Sequence, residues 1–223
     1  MDILLIFATG REAEIAESVC GKGIKNGQCN YRGHNIHVLV TGVGGMATSW
    51  AMSKWLQANS GPGLAINCGI AGSFRPGIEI GDVVSVKSDC FGDLGIETDS
   101  SFKTLFEHGF IHSDEDPYND GVLVNNSQLA DKVSKLMPEV KAVTVNTASG
   151  SPHSVERLKS KFDPDIETME GATFFYICLR EKIPFLAIRA ISNHVDTGRR
   201  GRWDIPLALN NLAGKLEDVL NII

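Results

Sequence analysis

Residues 185–193 read FLAIRAISN, a nearly continuous apolar run that is broken only by Arg189 and ends in a Ser-Asn pair. Similar apolar runs occur along the rest of the chain, and segments with helical apolar periodicity lie between them. This alternation is typical of helices packed against a mostly parallel sheet. It predicts strands at residues 2–8, 35–41, 63–69, 81–87, 140–147 and 184–192.

Helical periodicity is clearest near the end of the sequence. After Asp204, a suitable N-cap, apolar residues recur at steps of three and four positions: Ile205, Leu209, Leu212, Leu216, Val219 and Ile223. Similar patterns predict helices at 11–20, 46–58, 127–137, 153–161 and 168–182. Both patterns fail between residues 88 and 120, which predicts a long loop of the kind that often carries function.

The composition is that of an ordinary globular protein, with 43% apolar and 22% charged residues in 223 positions. The formal charge of −6 does not favour nucleic acid as a partner, because such binders normally present a basic face. Five scattered cysteines without CxxC spacing indicate thiols in a reducing compartment. The first apolar run is too short to span a membrane and lacks the features of a signal peptide, so we expect a cytoplasmic, single-domain protein over residues 1–223.

Three short patterns resemble sites of other kinds. Residues 42–47 read GVGGMA and fit a relaxed dinucleotide-binding loop, but the acidic residue expected about twenty positions later is missing. A glycine turn that brings the backbone close to a ligand, or a plain turn, is the better interpretation. His108 and His112 lack an accompanying HExxH motif, so we expect no metal. Ser149 and His153 lack a GxSxG elbow and do not predict a catalytic serine.

The most informative pattern combines ETMEGA at 167–172 with the strand at 185–193. Three further pieces occur in order: Glu12 after the first strand, TGVGGMA at 41–47, and NCGIAGSF followed by GDVV at 67–84. These pieces resemble the nucleoside phosphorylase and nucleosidase superfamily over nearly the whole chain. The resemblance implies a three-layer αβα sandwich around a central mixed, mostly parallel, twisted sheet. Within the superfamily, SNHVDTGRRGRWDIPLAL at 192–209 is similar to the futalosine hydrolases.

The resemblance implies hydrolysis of a purine N-glycosidic bond, which passes through an oxocarbenium-like sugar. Glu170 opens a helix, where its carboxylate is favoured by the helix dipole and can accept hydrogen bonds from sugar hydroxyls. Met169 would offer an apolar surface to the sugar, although a plain core role is equally compatible with the sequence. Glu12 would activate the attacking water, and Arg189 would orient that water.

Asn193 is the residue that distinguishes possible bases, because adenine-cleaving relatives usually carry Asp there. An amide both donates and accepts, which suits O6 and protonated N7 of a 6-oxopurine and predicts hypoxanthine as the leaving base. Plain alternatives exist for all three catalytic candidates. Asn193 could cap a strand end, Glu12 could be an exposed helix acid, and Arg189 could be a buried structural arginine. The catalytic hypothesis predicts that Arg189 pairs with Glu12.

Further residues complete the predicted substrate site: Gly72, Ser73, Phe74, Thr147, Ser149, Arg199, Arg202 and Trp203. The arginines and Trp203 would suit the aryl carboxylate of futalosine, although a solvated basic turn fits them equally well. Candidates for stacking on the base are Phe74, His153 and Phe162. Ile70 departs from the superfamily pattern, since nucleosidases usually carry Ser there, and it cannot help to hold the water.

Three rival functions fit parts of the sequence. A methylthioadenosine or adenosylhomocysteine nucleosidase would require adenine recognition, which Asn193 disfavours. A purine nucleoside phosphorylase would require a phosphate pocket, and the typical N-terminal arginines and GDP turn are not evident. A nucleoside-binding protein without activity conflicts with the retention of Glu12 and Glu170. We expect a small purine nucleoside as substrate, no cofactor, no membrane partner and a homodimer.

Overall fold

The computed structural model describes residues 1–21, 24, 26–99, 101–195 and 203–223. Within these ranges the strands are β1 (Asp2–Phe7), β2 (Gln28–Tyr31), β3 (His34–Val40), β4 (Leu64–Ser73), β5 (Val83–Phe91), β6 (Gly95–Glu97), β7 (Phe102–Thr104), β8 (Leu123–Val124), β9 (Glu139–Thr144), β10 (Ile166–Thr168) and β11 (Phe185–His194). The helices are α1 (Gly10–Cys20), α2 (Gly45–Ala58), α3 (Gln128–Val133), α4 (Pro152–Phe162), α5 (Gly171–Arg180) and α6 (Ile205–Leu220). The predicted α/β class is confirmed.

The main sheet is mixed and has the order β10-β9-β5-β11-β4-β1-β3-β2, with β8 paired to β5. Among the described residues, five of its nine strand pairings are parallel. The sheet departs from a simple layered sandwich because β10 pairs with β4 as well as with β9. The strands β4, β11, β5, β9 and β10 therefore close into a ring at the end of the sheet where the long strand β4 finishes.

Alternate side chains of the central strand β1 enter different cores, as the two-residue period of a strand requires. Ile3, Leu5 and Phe7 pack with α1 and α6 on one face of the sheet. Leu4 and Ile6 lie in a second core together with residues of α2 and α5. Helices thus cover the sheet from both faces. None of the helices in the described ranges combines the length and apolar character needed to cross a bilayer.

The predicted loop at 88–120 is wrong in part. Strand β5 continues to Phe91, and β6 and β7 form an antiparallel hairpin within the segment. The short strands escaped the sequence analysis because two or three residues carry no readable periodicity. The predicted helix at 168–182 is shorter than expected, since β10 continues to Thr168 and α5 begins only at Gly171.

Candidate active site

A cavity of about 820 Å³ opens at the carboxyl ends of β1, β4 and β11, where parallel strands commonly bind ligands. Its wall also includes β10 and the turn before α2. The described residues that line it are Ala8, Thr9, Glu12, Val43, Ile70, Ala71, Gly72, Ile80, Ala148, Ser149, Gly150, Glu167, Thr168, Met169, Glu170, Ser192, Asn193, His194 and Trp203. The predicted residues Glu12, Glu170 and Asn193 therefore share one cavity.

Glu12 is fixed by the local structure at the start of α1. Thr9 is the N-cap, and its backbone N–H and hydroxyl both donate to Glu12 Oε2 at 2.9 Å. The N–H of Ile70 donates to the other oxygen, Oε1, at 3.3 Å. Only 7% of Glu12 is exposed, so the alternative of a solvated helix acid is wrong. Its carboxylate is held rigidly at the cavity wall.

Glu170 is the N-cap residue of α5, and the glycine turn holds its side chain. The N–H of Gly44 donates to Glu170 Oε1 at 2.9 Å. A Cβ on Gly45 would lie 2.6 Å from Thr173 Oγ1, so a side chain at position 45 would require Thr173 to move. Burial is the largest cause that raises the pKa of Glu170, while the Gly44 N–H and the charge of Arg189 lower it. The turn at 42–47 thus positions a carboxylate.

The predicted pair between Arg189 and Glu12 is wrong. Within the described part of the chain no ion pair joins them, and Arg189 is not among the residues that line the cavity. The Arg189 guanidinium donates instead to the backbone and side-chain oxygens of Asn67 and to the carbonyl of Ile188. Arg189 is only 1% exposed. The side chain is a buried cation beneath the cavity, whose charge lowers the pKa of Asp89 and of Glu170.

Asn193 keeps part of its hydrogen-bonding capacity free for a ligand. Its Oδ1 accepts from the Ser192 hydroxyl at 2.8 Å, and its Nδ2 donates to the His194 carbonyl at 3.2 Å. A primary amide has two N–H groups and two lone pairs, so one of each has no partner within the described ranges. Gly72 lies beside it, where an added Cβ would be 3.2 Å from Asn193 Nδ2. The amide is both oriented and able to meet a base.

Four other predicted substrate residues line the same cavity: Gly72, Ser149, Met169 and Trp203. Ser73 and Thr147 do not line it. The Ser73 hydroxyl instead donates to the carbonyl of Arg75 and accepts from its N–H. Arg199 and Arg202 lie outside the described residues.

None of the three stacking candidates lines the described cavity wall. Phe74 is 6% exposed and packs in a third core with Val143 and Leu158, and Phe162 joins the edge of that core. His153 lines a separate groove beside the β6–β7 hairpin. The only aromatic side chains on the described cavity wall are those of His194 and Trp203. Sequence reasoning missed His194, since nothing in its local pattern separates it from the end of a strand.

Thr9 and Glu167 are among the other wall residues that were missed, and Thr9 had a readable signal. Thr9 and Glu12 are spaced as a capping box, in which the N-cap side chain and the N3 carboxylate bond each other's backbone. Glu167 had no such signal, because its place on the wall depends on the pairing of β10 with β4. The described residues contain no group of three or more metal-binding side chains, at His108 and His112 or elsewhere.

The buried carboxyl group of Asp89 is linked to the start of α5 through Thr144. Thr144 Oγ1 donates to Asp89 and accepts the N–H of Ala172 at 2.8 Å. A Cβ on Gly171 would lie 2.1 Å from Asp89 Oδ2, so the glycine of the Glu170-Gly171 pair is required by this packing. Burial raises the pKa of Asp89 to about 7, against the lowering effects of Thr144 and Arg189. Asp89 therefore changes charge near neutral pH.

The raised pKa of Asp89 makes stability depend on pH. From its ordinary value near 3.8 up to about 7, the native state binds more protons than the unfolded state, so stability falls as pH rises. At 1.36 kcal/mol per pKa unit the loss is on the order of 4 kcal/mol across this window. We expect the melting temperature of Asp89→Asn to increase relative to that of the wild type as the pH is raised from about 5 to 8.

Thermal unfolding of both proteins across this pH range measures the effect. Asp131→Asn is the matched control, because the Asp131 side chain is 69% exposed. The difference in melting temperature between this variant and the wild type should not change with pH in this way. If the difference in melting temperature between Asp89→Asn and the wild type stays constant across the pH range, the raised pKa of Asp89 is contradicted.

Comparisons with known proteins identify the family of this chain. The model of the phosphorylase superfamily matches residues 7–223. A 5'-methylthioadenosine/S-adenosylhomocysteine nucleosidase of Tolumonas auensis is 26% identical over 174 residues, which cover 74% of this chain and 71% of the relative. The futalosine hydrolase of Thermus thermophilus is 25% identical over 195 residues, which cover 85% of this chain and 83% of the relative.

Solved structures show the same fold. A Helicobacter pylori MTAN mutant with 5'-methylthioadenosine in the active site matches with a TM-score of 0.84 and 18% identity, over 100% of this chain and 99% of its own. A futalosine hydrolase mutant of the same species matches with a TM-score of 0.83 and 19% identity over the whole of both chains. The family model spans nearly all of the sequence, and the chain therefore belongs to the phosphorylase superfamily.

Proposed function

We propose that this protein hydrolyses the N-glycosidic bond of futalosine and releases hypoxanthine and dehypoxanthine futalosine, a step of an alternative menaquinone pathway. The protein is an enzyme of the hydrolase class, as its nucleosidase relatives are. The observation that carries the proposal is the convergence of Glu12, Glu170 and Asn193 on one cavity. Residues 1–223 would act as one catalytic domain.

Each of the three side chains fits one task of the reaction. Glu12 has hydrogen bonds from Thr9 and Ile70 that fix its carboxylate, which can accept a proton from a water in the cavity. Glu170 would accept hydrogen bonds from the sugar hydroxyls, with Met169 against the sugar. Asn193 would support the leaving base. Arg189 does not line the described cavity wall, and we assign it an electrostatic role through its buried charge.

The charge of the cavity favours water over phosphate as the nucleophile. The acidic residues on its described wall are Glu12, Glu167 and Glu170. A phosphate placed among these carboxylates would be repelled by like charge, whereas a neutral water is not. We therefore favour hydrolysis over phosphorolysis.

Product analysis tests the proposed function directly. The protein is offered futalosine, inosine and methylthioadenosine, each with and without phosphate, and the products are separated by chromatography. Free hypoxanthine from futalosine in the absence of phosphate is the expected result. Release of adenine alone would contradict the proposal and identify a methylthioadenosine nucleosidase.

Asn193→Asp is expected to shift the preference of the enzyme from 6-oxopurines towards 6-aminopurines. A carboxylate loses the N–H that O6 requires but accepts from an amino group, so the ratio of kcat/KM values should change by about 10–100-fold. Initial rates on inosine and methylthioadenosine measure it. Asn210→Asp on α6, outside the cavity wall, is the control. Unaltered hypoxanthine release by Asn193→Asp would exclude this role of the amide.

We also propose a homodimer that forms through the outer surface of α2. Met46 is 86% exposed and Trp50 is 68% exposed, beside the exposed Val43. Contiguous apolar side chains of this kind mark interaction surfaces. Sedimentation should show a dimer that Trp50→Glu dissociates, while Phe110→Glu, at a residue that is also 68% exposed, leaves it intact. A wild-type monomer, or dissociation by both variants alike, would contradict this interface.

A further inference from the structure

Glu170 is the N-cap residue of α5, but its side chain does not cap the helix. An N-cap side chain normally accepts the N–H of the second or third helical residue. The Glu170 carboxylate is instead half-buried on the cavity wall, where Oε1 accepts from Gly44. The first N–H groups of α5 belong to the buried residues Gly171 and Ala172, so they need other acceptors within the protein.

Two threonine hydroxyls on neighbouring strands accept these N–H groups. Thr144 ends β9 and Thr168 ends β10, and the parallel pairing of the strands places them side by side. Thr144 Oγ1 accepts the N–H of Ala172 at 2.8 Å, and Thr168 Oγ1 accepts that of Gly171 at 3.3 Å. Both threonines are only 3% exposed. The cap of α5 is thus built by side chains that lie outside the helix.

The directions of the hydrogen bonds in this cap follow from the donors available. The hydroxyls of Thr144 and Thr168 are 2.9 Å apart, and the Thr144 hydroxyl also contacts both oxygens of Asp89, at 2.9 and 3.0 Å. A hydroxyl has one hydrogen and two lone pairs, whereas an ionised carboxylate only accepts. Thr144 therefore donates to Asp89, and its lone pairs accept from the Ala172 N–H and from the neighbouring hydroxyl. The chain of bonds ends at a negative charge, which the helix dipole favours.

We propose that Thr144 is a positioning residue that caps α5 in place of Glu170 and so leaves the Glu170 carboxylate free to hold the sugar. Asp89 orients the Thr144 hydroxyl by taking its hydrogen. Without this cap, the N–H of Ala172 would compete with the substrate for the carboxylate of the N-cap residue. The inference rests on the proposed function in one respect, namely that Glu170 binds the hydroxyls of a nucleoside.

Binding of ribonucleosides and 2'-deoxyribonucleosides tests the inference. Calorimetry uses the Glu12→Gln protein, in which slow turnover should preserve the nucleoside, with inosine, 2'-deoxyinosine, adenosine and 2'-deoxyadenosine. The measured quantity is the ratio of the Kd of the 2'-deoxynucleoside to that of the ribonucleoside with the same base. Thr144→Val keeps the branched shape of the side chain and removes the hydroxyl. The ratio should fall by about fivefold or more, since Glu170 is drawn away from the 2'-hydroxyl.

Three further variants separate positioning from a structural role. Thr144→Ser keeps a hydroxyl at the same position and should keep the Kd ratio. Glu170→Ala combined with Thr144→Val should show the ratio of Glu170→Ala alone, because the cap acts on the ratio only through Glu170. Ser85→Ala is the control and should keep the ratio, since it removes another buried hydroxyl, on β5 and outside the cavity wall.

The melting temperature and the Kd ratio together distinguish loss of stability from loss of positioning. If Thr144→Val lowers the melting temperature and leaves the ratio unchanged, the cap is only structural and the inference is overturned. A ratio that falls equally in Thr144→Ser and Thr144→Val also overturns it. If Thr144→Val does not fold, the double variant with Asp89→Asn replaces it, because a neutral amide tolerates the loss of the hydroxyl better than a carboxylate. The same fall in the ratio is expected.

The result is independent of the substrate assay. The ratio compares nucleosides that share a base, so it reports on the sugar whichever base the cavity prefers. Futalosine cleavage with a ratio that does not depend on Thr144 would leave the proposed function intact and overturn only the inference. A ratio that depends on Thr144, without cleavage of futalosine, would support the inference and overturn the proposed substrate. Equal binding of the two kinds of nucleoside by the Glu12→Gln protein, or binding of neither, would overturn the inference.

Discussion

Glu12→Gln is expected to lower kcat by about 10³-fold, within the range that a general base contributes, and to leave KM nearly unchanged. The amide cannot take a proton from the attacking water at neutral pH. It can still accept through its oxygen from the N–H and hydroxyl of Thr9, so the start of α1 should persist. The loss should therefore fall on the chemical step and not on substrate binding.

Initial rates of base release over a range of substrate concentrations separate kcat from KM. Glu14→Gln is the matched control, because Glu14 lies on the same helix and is exposed. Circular dichroism and melting temperature establish that the variant is folded. A Glu12→Gln enzyme that turns over at the wild-type rate would remove Glu12 from the mechanism.

Glu170→Ala is expected to lower kcat/KM by about 10²–10³-fold, because two charge-assisted hydrogen bonds to the sugar are lost. The variant also removes the acceptor of the Gly44 N–H, so the glycine turn loses this hydrogen bond to α5. Glu170→Gln keeps an acceptor for that N–H and isolates the effect on the sugar. Both variants should bind free hypoxanthine as the wild type does.

A pair of substrates identifies the sugar as the group that Glu170 contacts. The wild type should discriminate between inosine and 2'-deoxyinosine, and Glu170→Ala should lose most of that discrimination, as a double-mutant cycle would show. Glu181→Gln, at the opposite end of α5, is the control. If Glu170→Ala discriminates as strongly as the wild type, the carboxylate does not hold the 2'-hydroxyl.

The elements of the fold were largely predictable because their patterns are local. The apolar runs predicted β1, β3, β4, β5, β9 and β11 to within a few residues, and helical periodicity predicted the six helices of the described ranges. The short strand β10 was not predictable, since its three residues, IET, leave no period to read. Its pairing with β4 closes the ring of strands and places Glu167 on the wall.

The site was predictable where a motif carries it and not where packing decides it. Glu12, Met169, Glu170 and Asn193 were found by their resemblance to a known pattern, and they line one cavity. Phe74 was chosen as a stacking residue because it is aromatic and near the motif in sequence. It belongs instead to a separate core, since the direction of a side chain depends on the neighbours that β4 acquires in the sheet.

The sequence by itself determined the α/β class, the superfamily and the carboxylates proposed for chemistry, because these follow from periodicity and from motifs of a few residues. Only the tertiary structure decided how the groups are held. Arg189 bonds Asn67 across 122 residues, and Gly44 bonds Glu170 across 126. Such contacts depend on strand order and close packing, which no local pattern encodes.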